Sequence, residues 1–288
     1  MAKNFNQEET DNYFTNRAGV FSNVACCRDD IFLDIILPKC KEELGDKIKL
    51  IDFGCGGGKL LVKLNDMGID AYGIERNENL YSMAKERMLR ADHEESRIIK
   101  GGIEELRKLD PKSIDVVLLM GVFQYLSPED YEGVFGDIHD VLRDDGHLVG
   151  SFQNALFDFF NLNRYTMNFY KENFIKPLGV DKLLGEEVYK DLETLITNPN
   201  KPEISSVSAI DNVYVRTTNP ITIDKELKEK NFELIGKYFF DLYFVPRLIE
   251  KKYEAALTQF KKEFEVKRST EWFGYFMANA FLTHSVKI

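Results

Sequence analysis

The sequence predicts an α/β fold, a largely parallel sheet wound with helices on both faces, and three observations carry this. Ile48 to Phe53 reads as a buried strand that delivers the chain to Gly54-Cys55-Gly56-Gly57-Gly58, after which a helix presents Leu60, Leu61, Leu64 and Met67 on one face. Ala71 to Ile74 reads as a second strand, ending in Glu75 about twenty residues beyond the loop. Ile114 to Met120 is almost unbroken apolar sequence, the mark of a strand covered on both faces in the middle of a parallel sheet.

The elements follow in order. Residues 1–46 predict helices near Glu8 to Arg17 and from Asp29 to Leu44. The helix after the glycine loop ends at Gly68, which suits a left-handed C-terminal position. Glu78 to Ala91 carries Leu80, Met83, Ala84 and Met88 at helical spacing. A third strand is expected around Arg97 to Gly101. Ser127 and Pro128 form an N-cap and first-turn pair for a helix through Val134, Ile138, Val141 and Leu142. The turn Arg143-Asp144-Asp145-Gly146 leads to a fifth strand, His147 to Phe152. An aromatic-rich insertion begins at Asn154, with a loop at Asn198–Pro202 and partial alternation over Ser205–Thr217. A helix near Thr222 to Lys230, a strand Phe232 to Phe239, a helical segment Pro246 to Phe264 and a last strand Ala278 to Val286 complete the chain.

The glycines specify the ligand class. Without Cβ atoms at Gly54, Gly56 and Gly58 the backbone turns tightly and a cofactor can lie against it. The dinucleotide fingerprint needs glycine at position 59, which is Lys59, and the P-loop needs glycine at Phe53 and Ser or Thr at Leu60. A dehydrogenase or nucleotide-binding enzyme is disfavoured on that ground. The segment Asp52-Phe53-Gly54-Cys55-Gly56-Gly57-Gly58 resembles motif I of the class I S-adenosylmethionine (SAM)-dependent methyltransferases. Glu75, Gly102-Ile103 and the strand-turn 114–126 resemble the next three motifs of that family, in order over residues 48–152.

The resemblance implies a Rossmann-like seven-stranded sheet ordered 3-2-1-4-5-7-6, its last strand antiparallel, with a lid insertion after strand 5. It divides the chain into an N-terminal helical cap (1–46), a SAM-binding core (47–153), a lid or substrate insertion (154–220) and a C-terminal completion of the sheet (221–288). It implies SAM as cofactor, S-adenosylhomocysteine as product, and cofactor contacts at Asp52, Gly54, Cys55, Gly56, Gly58, Glu75, Arg76, Gly102, Ile103, Met120 and Tyr13. Glu75 would accept hydrogen bonds from ribose hydroxyls. The family often has Asp where this chain has Gly102, so the contact to the adenine amine is either missing or supplied by Glu104.

Side chains just past the fourth and fifth strands face the transferring methyl. These are Gln124 and Tyr125, then Gln153 and Asn154; Gln124 and Tyr125 are the candidates for catalysis, and Asn154, with Phe157 and Tyr165 of the aromatic insertion, for the acceptor. Many relatives have His where this chain has Gln124-Tyr125, so the general base stays unassigned among groups such as Glu9, Asp11 and Asp158. The intact loop with Glu75 favours an enzyme. A non-catalytic SAM-binding scaffold of the same fold is the alternative, favoured by Gly102 and the missing His.

Composition sets further expectations. A chain of 288 residues with 44% hydrophobic content can bury a substantial core. Net charge −10 without a basic run disfavours nucleic acid. The resemblance implies methylation of an oxygen or nitrogen, and the long aromatic insertion suggests a covered pocket for a small metabolite. The insertion also resembles those of methyltransferases from bacterial cell-surface carbohydrate or natural-product pathways. No apolar stretch is long enough to span a bilayer and the first residues are polar, so a cytoplasmic monomer or homodimer with no membrane partner is expected. The four cysteines show no metal-ligand spacing and no metal is expected; His139 and His147 read as structural.

Overall fold

A computed structural model describes residues 5–21, 27–160, 164–170, 190, 215–243 and 264–288. Its centre is one sheet of β1 (Lys49–Phe53), β2 (Asp70–Glu75), β3 (Ile98–Lys100), β4 (Ile114–Leu119), β5 (Leu142–Asn154), β6 (Thr217–Thr218), β7 (Phe232–Leu242) and β8 (Ala278–Lys287). The order is β3-β2-β1-β4-β5-β8-β7, and the two-residue β6 pairs with the end of β5. With β6 set aside, this is the expected order. β1 to β5 are parallel and β8 is antiparallel to both its neighbours.

The sequence explains the two-sided packing. Along β1, Leu50 faces a cluster with Leu60, Leu61, Leu64, Ala84 and Met88, while Ile51 and Phe53 face a second cluster with Phe123, Val134, Phe135 and Ile138. The first cluster is covered by α4 (Lys59–Asp66) and α5 (Glu78–Arg90) with α2 (Cys27–Ile31) and α3 (Leu37–Leu44); the second by α6 (Pro128–Val141). A π turn, Phe32–Ile36, joins α2 to α3 and stands just before Pro38. Proline lacks the N–H and crowds the carbonyl four residues back, which this widening accommodates. An N-terminal helix, α1 (Gln7–Phe21), lies against α5.

Several local expectations are corrected. Met67 is 49% exposed rather than part of the apolar face, because the helix ends at Asp66 and Gly68 turns left-handed at φ +77°. The turn at 143–146 is a bulge within β5: Ile114 pairs with Leu142 but Val116 with His147, with Asp145 at φ +60°. The third strand is only Ile98–Lys100. Two helices, α7 (Ala155–Phe160) and α8 (Arg164–Tyr170), follow β5. α9 (Ile223–Glu229) precedes β7 and α10 (Gly274–Met277) precedes β8. The expected loop at Asn198–Pro202, and nearly all of 205–217 and 246–264, lie outside the described residues.

Candidate cofactor-binding site

The site forms beyond the carboxyl ends of β1, β2 and β4. Gly54, Gly56 and Gly58 all adopt positive φ, +75°, +57° and +72°. A Cβ at Gly54 would stand 2.4 Å from Val122 Cγ2, and at Gly58 3.0 Å from Ala84 Cβ, whereas at Gly56 it would meet no atom within 4 Å. Two of these glycines thus let protein approach protein, while Gly56 opens onto the cavity. The N–H groups of Gly54 and Cys55 both donate to Ile74 O, at 2.8 and 3.1 Å, pinning the loop to β2.

Glu75 ties the loop to the start of α5. Its Oε2 accepts from Gly56 N at 2.8 Å and its Oε1 from Asn77 N at 2.7 Å. Each carboxylate oxygen keeps further acceptor capacity for a ligand hydroxyl. Glu75 is 7% exposed, and burial pushes its carboxyl up while the backbone N–H groups pull it back down.

Asp52 is 4% exposed at the end of β1. Burial raises its carboxyl to about 7, the Arg28 guanidinium pulls it down, and the Asp29 and Glu75 charges push it up again. Raised from 3.8 to about 7, its ionised form costs the folded chain about 4 kcal/mol above pH 7. The associated stability is full below the unfolded pKa and is lost as pH rises through the folded one. A cation in the cavity offsets that cost. Affinity for a cationic ligand is therefore expected to fall by up to about tenfold between pH 6.5 and 5.5, as Asp52 protonates. Asp52→Asn should flatten the profile in a calorimetric pH series.

These groups line a cavity of about 470 Å³, within the usual range of roughly 300–1,000 Å³ for small-molecule sites. Of the residues singled out in the sequence, Asp52, Gly54, Cys55, Gly56, Glu75, Arg76, Gly102, Ile103, Met120, Gln124 and Tyr125 line it. So do Gln7, Thr10, Asp11 and Phe14, one face of α1 at helical spacing. Asp11 pairs with Arg76 at 3.3 Å, and Phe14 meets the Tyr125 ring edge-on at 4.9 Å. Gln124 Oε1 is buried without a hydrogen-bond partner among the described residues. The Glu104 carboxylate accepts from Gly102 N at 2.9 Å, which holds it below the usual carboxylate range at the cavity wall.

Other expected residues stand elsewhere. Gly58 supports the loop without lining the cavity, and Tyr13 packs behind Phe14 with ring centroids 5.3 Å apart. Asn154 is fully buried, not at the acceptor side: its Nδ2 donates to Tyr275 O and Ala278 O, and its Oδ1 accepts from Leu156 N. Phe157 is buried against Tyr243. Tyr165 lies in α8, its side chain outside the described residues. Asp158 is away from the cavity, raised to about 7 by burial, and Glu9 does not line it either. Sequence reasoning missed Arg28 and Asp29, an ion pair at 3.0 Å on the cavity wall. Their signal was only two charges at a helix start.

The sequence and the fold have counterparts among known proteins. The family described as "Methyltransferase domain" matches residues 51–150, the span from β1 to the middle of β5. This chain carries a class I SAM-dependent methyltransferase domain. The methyltransferase is 25% identical to the probable S-adenosylmethionine-dependent methyltransferase CRG1 of Saccharomyces cerevisiae, over 64% of this chain and 68% of that protein. It is 27% identical to the human tRNA N(3)-cytidine methyltransferase METTL6, over 54% of this chain and 63% of that one. Among solved structures, its fold resembles 1,6-didemethyltoxoflavin-N1-methyltransferase of Burkholderia thailandensis (TM-score 0.51, 12% identity, 97% of this chain and 88% of that one). It also resembles a putative SAM-dependent methyltransferase of Listeria monocytogenes (TM-score 0.50, 14% identity, 88% and 96%). The methyltransferase uses SAM, and no helix among its described residues is long and apolar enough to cross a membrane.

Proposed function

We propose that the methyltransferase moves a methyl group to an oxygen or nitrogen of a small polar acceptor that enters beside Gln124 and Tyr125. The observation that carries this is that Gln124 and Tyr125, just past the end of β4, line the same cavity as Gly54, Gly56 and Glu75.

The roles follow from the contacts. Gly56 gives the cofactor access to the main chain, with Gly54, Cys55 and Gly58 shaping the loop. The Glu75 oxygens receive the ribose hydroxyls, Asp52 faces the cationic end, and Met120 and Ile103 supply apolar wall. Glu104 stands where it can receive the adenine amine in place of the Asp that Gly102 replaces. SAM, when bound, supplies a methyl group already activated on sulfur, so the chain's own residues chiefly align and dehydrate. Phe14 and Tyr125 exclude water from the acceptor side. Among the carboxylates on the wall, Asp11, Asp29 and Asp130 are the candidates to hold the acceptor's proton.

A tRNA acceptor is the second reading, favoured by the similarity to METTL6. Net charge −10 weighs against a phosphate grip. Incubation with methyl-labelled SAM and either a pool of small polar metabolites or total tRNA separates the two. Label in the small-molecule fraction alone is expected, and label in tRNA would overturn the proposal. Tyr125→Phe should leave SAM affinity within about twofold and lower turnover about tenfold, the size of one lost hydrogen bond. Unchanged turnover would remove the Tyr125 hydroxyl from contact with the acceptor.

A further inference from the structure

Cys40, His147 and His284 meet in the core, on the face of the sheet covered by α3. Cys40 Sγ lies 3.4 Å from His147 Nδ1 and 3.6 Å from His284 Nε2, and the two ring nitrogens are 2.7 Å apart. All three residues are at most 1% exposed. Cys40 comes from α3, His147 from β5 and His284 from β8. They stand 107 and 244 residues from Cys40 along the chain, so no ligand spacing shows in the sequence. None of them lines the cofactor cavity.

The spacing is that of a metal site. An ion about 2.3 Å from a sulfur and about 2.0–2.1 Å from a nitrogen sets those atoms about 3.5 Å apart at a tetrahedral angle. Both sulfur–nitrogen distances already match this. The nitrogen pair would open by about 0.6 Å, trading a shared proton for the ion. One thiolate and two imidazoles, with no oxygen donor, select a thiophilic ion over magnesium or calcium. Ligating histidines usually donate their other N–H to a carboxylate. Here Glu43 Oε2 stands 3.3 Å from His147 Nε2. The ring face towards Cys40 is thereby left to Nδ1.

We propose that Cys40, His147 and His284 form a buried site for a d10 cation, Zn(II) or Cu(I), that ties α3 to β5 and β8. Binding takes the Cys40 thiolate, His147 Nδ1 and His284 Nε2. The thiol proton leaves to solvent. The proton between the rings moves to a distal nitrogen, His147 Nε2 beside Glu43 or His284 Nδ1, which is buried without a partner among the described residues. No electrons are exchanged.

The test uses the intact chain, reduced and stripped of metal, then titrated with Zn(II), with Co(II) as a spectroscopic stand-in, and with Cu(I) by competition. One ion per chain by mass spectrometry, a sulfur-to-cobalt charge-transfer band and a raised melting temperature are expected. Cys40→Ser should abolish the band, and both Cys40→Ser and His284→Gln should weaken binding at least tenfold. Glu43 is 53% exposed, so Glu43→Gln should fold and weaken the site about tenfold; it decides the question if the core variants do not fold. SAM affinity should be unchanged throughout. A band that survives Cys40→Ser, affinity unchanged in Glu43→Gln, or no ion held at micromolar concentration would overturn the proposal. The cluster would then be a buried hydrogen-bond chain only.

Discussion

Glu75→Ala is expected to weaken SAM binding by at least a hundredfold in calorimetric titration. The carboxylate does two things at once. It accepts from Gly56 N and Asn77 N, fixing the loop against the start of α5, and it retains acceptor capacity towards the cavity. Losing two charge-assisted hydrogen bonds to a ligand costs about 3–6 kcal/mol, and every 1.4 kcal/mol is tenfold in affinity. The alanine variant also frees two backbone N–H groups, so a small fall in melting temperature accompanies the loss. Glu75→Gln separates the two effects: its amide oxygen can still take one backbone N–H, while its NH2 opposes ribose donors. One backbone N–H is left facing that NH2, so the variant should melt somewhat below the parent and still bind SAM at least tenfold more weakly. Unchanged affinity in both variants would remove Glu75 from the ribose.

Gly54→Ala and Gly56→Ala should fail in opposite ways. At Gly54 the new Cβ would stand 2.4 Å from Val122 Cγ2 on a backbone at φ +75°. A left-handed non-glycine residue costs about 1–2 kcal/mol and overpacking about 1–3. Together they should lower stability by about 2–5 kcal/mol in denaturant unfolding. At Gly56 nothing lies within 4 Å, so only the backbone cost applies, about 1–2 kcal/mol. Its methyl instead points at space the cofactor needs. Gly56→Ala should therefore stay folded and lose SAM affinity more than tenfold, and Gly56→Val should lose more. If Gly56→Ala binds SAM like the parent, the cofactor does not lie against this loop.

The difference between these glycines was not legible in the sequence, although the loop was. The loop, Glu75 and the apolar strands announce themselves because their signals are local: spacing, turn chemistry and burial pattern within a few residues. The strand order followed from the family resemblance that those motifs established. What escaped depends on partners far along the chain. Asn154 reads in the sequence as an acceptor-facing residue at a strand end, yet its amide serves the carbonyls of Tyr275 and Ala278, over 120 residues away. Phe157 reads as pocket lining but packs against Tyr243. Arg28 and Asp29 reach the cavity only through the tertiary placement of α2, with Arg28 Nη1 2.9 Å from where a Gly121 Cβ would stand. Cys40, His147 and His284 are invisible for the same reason, each ordinary within its own element.

Titration of the purified chain with SAM, S-adenosylhomocysteine and NADH bears most directly on the cofactor site. Micromolar binding of the first two, about −8 kcal/mol, with none of NADH is expected. Binding of NADH, or of neither adenosyl compound, would contradict the assignment of the glycine loop and Glu75 to SAM.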